Sequence, residues 1–160
     1  MSEELKVRIS DYKIATPPDS LITIALGSCV GIAVYDPKNK VGGLSHIMLP
    51  DSKLFKPPYK VEKFADLAIP KMVKEIKQLA RTEKLVAKIA GGASMFQFSS
   101  QSDGESIGDR NIKAVIDCLN ELNIPLLGQQ TGGNTGRTMM VDLEEFKVTV
   151  RSANRDISVL

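Results

Sequence analysis

The sequence predicts an α+β fold, a single domain over residues 1–160, with about seven or eight strands and two long helices. Three observations lead there. Short β-branched runs bounded by turn residues recur near both ends of the chain, and between them two stretches repeat apolar residues at helical spacing. A chain of 160 residues is one domain by length. Such a chain buries roughly two-thirds of its unfolded surface, enough for a core that needs no disulfide or metal staple.

Leu5, Val7 and Ile9 alternate with polar residues as in a half-buried strand, which Thr16-Pro17-Pro18-Asp19 ends. Leu21 to Leu26 is a second strand, rich in β-branched residues at Ile22, Thr23 and Ile24. After Gly27-Ser28-Cys29, Val30, Ile32 and Val34 lead to the turn Asp36-Pro37-Lys38-Asn39, and Val41 to Leu49 returns as the partner of a hairpin. Residues 51–60 form an irregular Pro-containing stretch. Then Phe64, Ala65, Ala68, Ile69, Met72, Val73, Ile76, Leu79 and Ala80 mark a helix face, with Pro70 kinking it or opening a separate helix. Lys71, Lys74, Lys77, Arg81 and Lys84 fall largely off that stripe, as a solvated face does. Leu85 to Ala90 is a strand ended by Gly91-Gly92, and the polar Gln97 to Ser106 reads as a mobile loop. Asp109 is the expected N-cap of a second helix carrying Ile112, Val115, Ile116, Leu119 and Leu122. That helix should stop near Asn123, and Cys118 within it reads as a packing residue. Leu126-Leu127, Met139 to Leu143 and Phe146 to Val150 are closing strands, with a frayed end or one more short strand after Ser152.

Composition narrows the function classes. Lys and Arg number 21 against 19 Asp and Glu, too balanced for the basic excess of a nucleic-acid binder. No apolar run approaches the ~18 residues of a membrane span, and the first residues lack the apolar core of a signal peptide. A cytoplasmic protein is expected. Three Cys and His residues in all fall short of the four ligands of a structural zinc site, so no metal or other cofactor is expected.

Chemistry concentrates between Thr23 and Pro50. Cys29 follows a Gly-Ser turn whose backbone N–H groups, around Gly27 and Ser28, suit an oxyanion hole. His46, the only histidine, lies on the returning strand and is the one side chain whose ordinary pKa lies near 7. Side by side, the two would make a thiol nucleophile and its base, with the thiolate stabilised as an ion pair. Thr23, six residues before Cys29 on the neighbouring strand, offers a hydroxyl to orient the imidazole. Register tests the pairing. A three-residue loop at residues 37–39 pairs Asp36 with Lys40, sets Val30 opposite His46 and leaves Cys29 on the other face. A bulge at Gly42-Gly43 would instead set His46 opposite Gly31, on the same face as Cys29, and that bulge is expected. The loop Thr131 to Thr138 is not a phosphate loop: its glycine spacing is one residue short and Arg137 stands where lysine belongs.

Five ordered blocks then give the chain a likeness. Ala25-Leu26-Gly27-Ser28-Cys29-Val30 resembles the nucleophile segment of the CheD family of chemoreceptor glutamine deamidases, and residues 43–50 resemble its histidine segment. Residues 88–96 and 107–111, and Thr131-Gly132-Gly133-Asn134 with Gly136-Arg137, are similar as well. The resemblance implies a Cys-His-Thr triad of Cys29, His46 and Thr23 that hydrolyses receptor glutamines to glutamate. In the last block, Asn134 and Arg137 are expected to contact substrate. It also implies an α/β layered sandwich related to bacterial toxin deamidases, with chemoreceptor helices as substrate and the phosphatase CheC as partner. The polar stretch around Gln97 to Ser106 is longer than that pattern leads one to expect. The alternative is a non-catalytic module that binds a receptor or CheC through a structural cysteine.

Overall fold

Alternating apolar residues give nearly every strand two usable faces, and the chain uses them to build three layers. The computed structural model describes residues 2–94 and 105–160. Ten strands form two five-stranded sheets. The first contains β1 (Glu4–Lys6), β3 (Ser20–Leu26), β8 (Arg137–Asp142), β9 (Lys147–Ser152) and β10 (Ile157–Val159), in that order. In the second the order is β2 (Asp11–Ala15), β5 (Val41–Ile47), β4 (Val30–Asp36), β6 (Val86–Gly91) and β7 (Leu126–Thr131). Pairing is antiparallel except at β1 with β3 and β6 with β7, and a helix crossover joins β6 to β7 as a parallel pair requires. The expected mixed, mostly antiparallel α+β layered architecture is what forms.

Strands β4 and β5 are buried throughout because both their faces are covered. One face, with Val30, Ile32, Val34 and Ile47, packs on α1 (Ala65–Ala80) and α2 (Ile107–Glu121). The other, with Cys29, Ala33, Tyr35 and Leu44, packs on Leu21, Leu26, Met139, Val141 and Val150 of the first sheet. The site described below lies in this inter-sheet layer.

Both helices follow their stripes. Helix α1 buries Ala65, Ala68, Ile69, Met72, Val73, Ile76 and Ala80, and each large side chain among these contributes about 1.5–3 kcal/mol of burial. It runs unbroken through Pro70, so no separate helix starts there, and Leu79 points to solvent rather than into the core. Lys71 and Lys74 are exposed, as a solvated face requires. Helix α2 is capped by Ser106, not Asp109. The Ser106 hydroxyl accepts the Asp109 N–H at 3.1 Å, which places Asp109 in the first turn, where its charge suits the helix dipole. The expected loop from Gln97 to Ser106 lies, up to residue 104, outside the described residues. The single strand expected between Leu5 and Thr16 forms as two, β1 and β2, because the chain turns at Ile9-Ser10, where Ser10 takes φ 60° and Ile9 points to solvent.

The hairpin corrects one expectation and keeps its consequence. No bulge occurs at Gly42-Gly43: β4 and β5 pair without interruption from Asp36 opposite Val41 to Gly31 opposite His46. The extra residue sits in the turn. Pro37 to Lys40 make four connecting residues, closed by Lys40 N–H donating to Asp36 C=O at 2.8 Å, with Lys40 at φ 57°. Both glycines serve close packing instead. A Cβ at Gly42 would lie 2.6 Å from Leu143 Cδ2, and one at Gly43 would lie 2.9 Å from Met72 Sδ. A register break does occur, but in β3, between Thr23 and Leu26, where Ala25 takes φ 61°.

Candidate active site

Thr23 and His46 come together from two sheets, and Cys29 stands at the head of β4, the strand paired with the one that carries His46. Thr23 is on β3 of the first sheet, not on a strand beside the hairpin, because the Gly27-Ser28-Cys29 turn carries the chain from one layer to the other. Its hydroxyl crosses the layer to His46 Nδ1 at 2.7 Å. Thr23 is fully buried, His46 is 2% exposed and Cys29 is 8% exposed.

The hydrogen bonds fix the tautomer of the imidazole. Thr23 Oγ1 has one proton, and it lies 2.7 Å from the Val7 carbonyl, which can only accept. The hydroxyl therefore donates to Val7 and accepts from His46, so Nδ1 carries the ring proton. Nε2 is left as a lone pair, buried and without a hydrogen-bond partner among the described residues. His46 sits opposite Gly31, two residues along the strand from Cys29, so both side chains face the inter-sheet layer.

Burial sets the charges. It pushes the His46 pKa down from 6.5 to about 4 and the Cys29 thiol up, the latter partly offset by the Cys29 backbone N–H beside its own sulfur. Both shifts favour the uncharged thiol and the uncharged imidazole.

The turn at Cys29 is held by its carbonyls. Ala93 N–H donates to Gly27 C=O at 2.9 Å, Asn111 Nδ2 to Ser28 C=O at 2.9 Å, and Gly92 N–H to Cys29 C=O at 2.8 Å. In a trans peptide the N–H lies opposite the C=O, so fixing the Gly27 and Ser28 carbonyls fixes the direction of the Ser28 and Cys29 N–H groups. Neither N–H joins a backbone hydrogen bond among the described residues. The approach of β6 depends on Gly91, whose φ is 113° and where a Cβ would fall 2.3 Å from Cys29 C=O.

Asn134 and Arg137 sit apart in character. Asn134 is exposed on the β7–β8 connection. Arg137 is 7% exposed, and its guanidinium donates to Gly91 C=O at 3.2 Å, Gly132 C=O at 2.7 Å and Gln130 Oε1 at 3.1 Å. It ties the β7–β8 connection to the end of β6. Cys118 is in the helix–sheet core, its thiol raised to about 11 by burial. Among the described residues no three His, Cys, Asp or Glu side chains gather as metal ligands, and no helix is long and apolar enough to cross a membrane.

The family model described as CheD chemotactic sensory transduction matches residues 48–152. The chain belongs to the CheD family. That match begins just after His46, but CheD relatives align over nearly the whole chain. The probable chemoreceptor glutamine deamidase CheD of Clostridium novyi (strain NT) is 48% identical over 159 residues, covering 99% of this chain and 98% of its own. The protein of the same name from Clostridium acetobutylicum is 49% identical over 156 residues, covering 97% and 94%. That of Clostridium botulinum (strain Hall) is 52% identical over 151 residues, covering 94% and 93%.

Sequence reasoning did not find the Val7 carbonyl or Asn111. A main-chain acceptor has no residue signature. Asn111 closes the block of residues 107–111 that resembles the family, but nothing in that block assigned it a role.

Proposed function

We propose that this CheD chain is a cytoplasmic amidohydrolase that converts glutamine side chains of chemoreceptors to glutamate, with Cys29 as nucleophile. The observation that carries this reading is the 2.7 Å bond between Thr23 Oγ1 and His46 Nδ1, which leaves Nε2 as the proton acceptor on the face shared with Cys29. The names of the relatives supply the substrate class.

As the sulfur attacks the amide carbon, Nε2 takes the thiol proton and a C–S bond forms. The Cys29 N–H, with that of Ser28, holds the developing oxyanion. The imidazolium, stabilised by the Thr23 hydroxyl at Nδ1, returns the proton to nitrogen, and the C–N bond breaks to release ammonia. Water deprotonated by Nε2 then attacks the thioester, giving glutamate and restoring the thiol. A glutamyl methyl ester is open to the same sequence, with methanol as the leaving group. In this reading Asn134, exposed on the β7–β8 connection, would touch a receptor helix, Arg137 would act by holding that connection, and CheC is the expected protein partner.

Mass spectrometry of a receptor cytoplasmic fragment tests the reading. Wild type should convert specific glutamines from amide to acid and Cys29→Ala should leave them intact. Equal conversion by both, or by neither, would remove Cys29 as the nucleophile.

A further inference from the structure

Asn111 projects from the first turns of α2 and is fully buried, yet it belongs to none of the three groups that do the chemistry. Its side-chain amide bridges two carbonyls, Ser28 C=O at 2.9 Å and Met48 C=O at 2.9 Å. Only an NH2 group can donate to both, which fixes the orientation of the amide. One of these carbonyls lies immediately before the nucleophile, and the other lies two residues beyond the base. The Ser28 carbonyl and the Cys29 N–H belong to one rigid peptide plane, so the bond that holds the carbonyl also holds the N–H.

From this geometry we infer that Asn111 is a positioning residue for the oxyanion donor: it locks the Ser28–Cys29 peptide plane so that the Cys29 N–H faces the oxygen that becomes negative during attack, at a fixed distance from the strand that carries His46. The inference rests on the proposed nucleophilic role of Cys29. Alternative supports for the plane are few. The neighbouring carbonyls of Gly27 and Cys29 are held by backbone amides from Ala93 and Gly92, whereas Ser28 C=O is held by this one side chain among the described residues. The second carbonyl ties α2 to the end of the histidine strand, so a shift of α2 would move the peptide plane relative to the base. Gly108 lets the helix come this close, since a Cβ there would lie 2.5 Å from the Ala93 carbonyl.

The test separates two reactions of the same sulfur. Deamidation builds a negative oxygen on the substrate. Iodoacetamide alkylation displaces iodide at a CH2 carbon and builds none. Asn111→Asp keeps the size but cannot bridge both carbonyls, and Asn111→Ser opens room for a water on Ser28 C=O. Each should lower kcat by roughly ten- to a hundredfold, part of what loss of an oxyanion donor costs, with KM unchanged. The alkylation rate of Cys29 should stay at the wild-type value. A parallel fall in alkylation and turnover, or unchanged turnover, overturns the inference, and failure of both variants to fold assigns Asn111 to the scaffold and overturns it too. Turnover by Cys29→Ala in the same assay would instead remove the nucleophile on which the inference rests.

Discussion

Thr23 and His46 belong to different sheets, and the 2.7 Å bond between them is a buried polar contact across a largely apolar interface. The layer is otherwise filled by residues such as Leu21, Leu44, Met139 and Val141. Orientation of the imidazole therefore depends on how one sheet sits over the other.

Thr23→Val keeps the shape of the side chain and removes the hydroxyl. It leaves the Val7 carbonyl and the Nδ1–H buried without partners, at a cost of about 1–3 kcal/mol in urea denaturation. Turnover should fall roughly ten- to a hundredfold as the tautomer loosens, less than the hundredfold or more expected for His46→Ala. Thr23→Ser should recover most of both. Wild-type kinetics in the valine variant would show that the imidazole is oriented by something else.

Stability should depend on pH through His46. In the unfolded chain the imidazole binds a proton near 6.5, while the folded state keeps it neutral down to about 4. Between those values the unfolded state holds more protons, so this contribution is fully present above 6.5 and is lost as pH falls through the window. The loss should total about 3 kcal/mol by pH 4, read as a fall in urea midpoint, and His46→Gln should flatten that segment of the profile. An unchanged midpoint across the window in wild type would contradict a buried neutral imidazole.

The two cysteines are almost equally covered, 8% exposed at Cys29 and 7% at Cys118, and burial raises both thiols. Access alone predicts equal labelling. A base beside Cys29 predicts that iodoacetamide modifies it first, and that Thr23→Val slows Cys29 without changing Cys118. Peptide mapping over a time course would distinguish the two outcomes.

Gly91→Ala and Gly132→Ala form a matched pair. Both positions have positive φ, so each substitution carries backbone strain of roughly 1–2 kcal/mol. At Gly132 a Cβ would meet nothing within 4 Å, whereas at Gly91 it would strike Cys29 C=O at 2.3 Å. Gly132→Ala should lose stability and keep turnover per folded molecule. Gly91→Ala should lose both, since the nucleophile turn must shift. Equal specific activity in the two variants would show that this turn tolerates displacement.

Much of this was legible in the chain. Helical periodicity located α1 and α2, and the opposition of His46 to Gly31 followed once a residue was added to the returning side of the hairpin. The residue was added in the wrong place, because Gly42-Gly43 looks the same whether glycine is there for a bulge or for contact with Leu143 and Met72. Assigning Thr23 to its sheet was beyond reach for a different reason. Alternation shows that a strand has two faces but not which sheet it joins, and β3 pairs with β1 and β8, the latter more than a hundred residues later in the chain. Asn111 and the Val7 carbonyl act through main-chain groups, which every residue possesses.

The pairing of β3 with β8 also bears on synthesis. Thr23, Cys29 and His46 all lie before Pro50, so a nascent chain carries them early, but β8 and β9, which extend the sheet beside Thr23, come only with residues 137–152. A ribosome-bound chain halted before Arg137 should therefore show no preferential alkylation of its cysteine at position 29, and one released after Ser152 should. Until then only β1 lies beside the strand that presents Thr23 to His46.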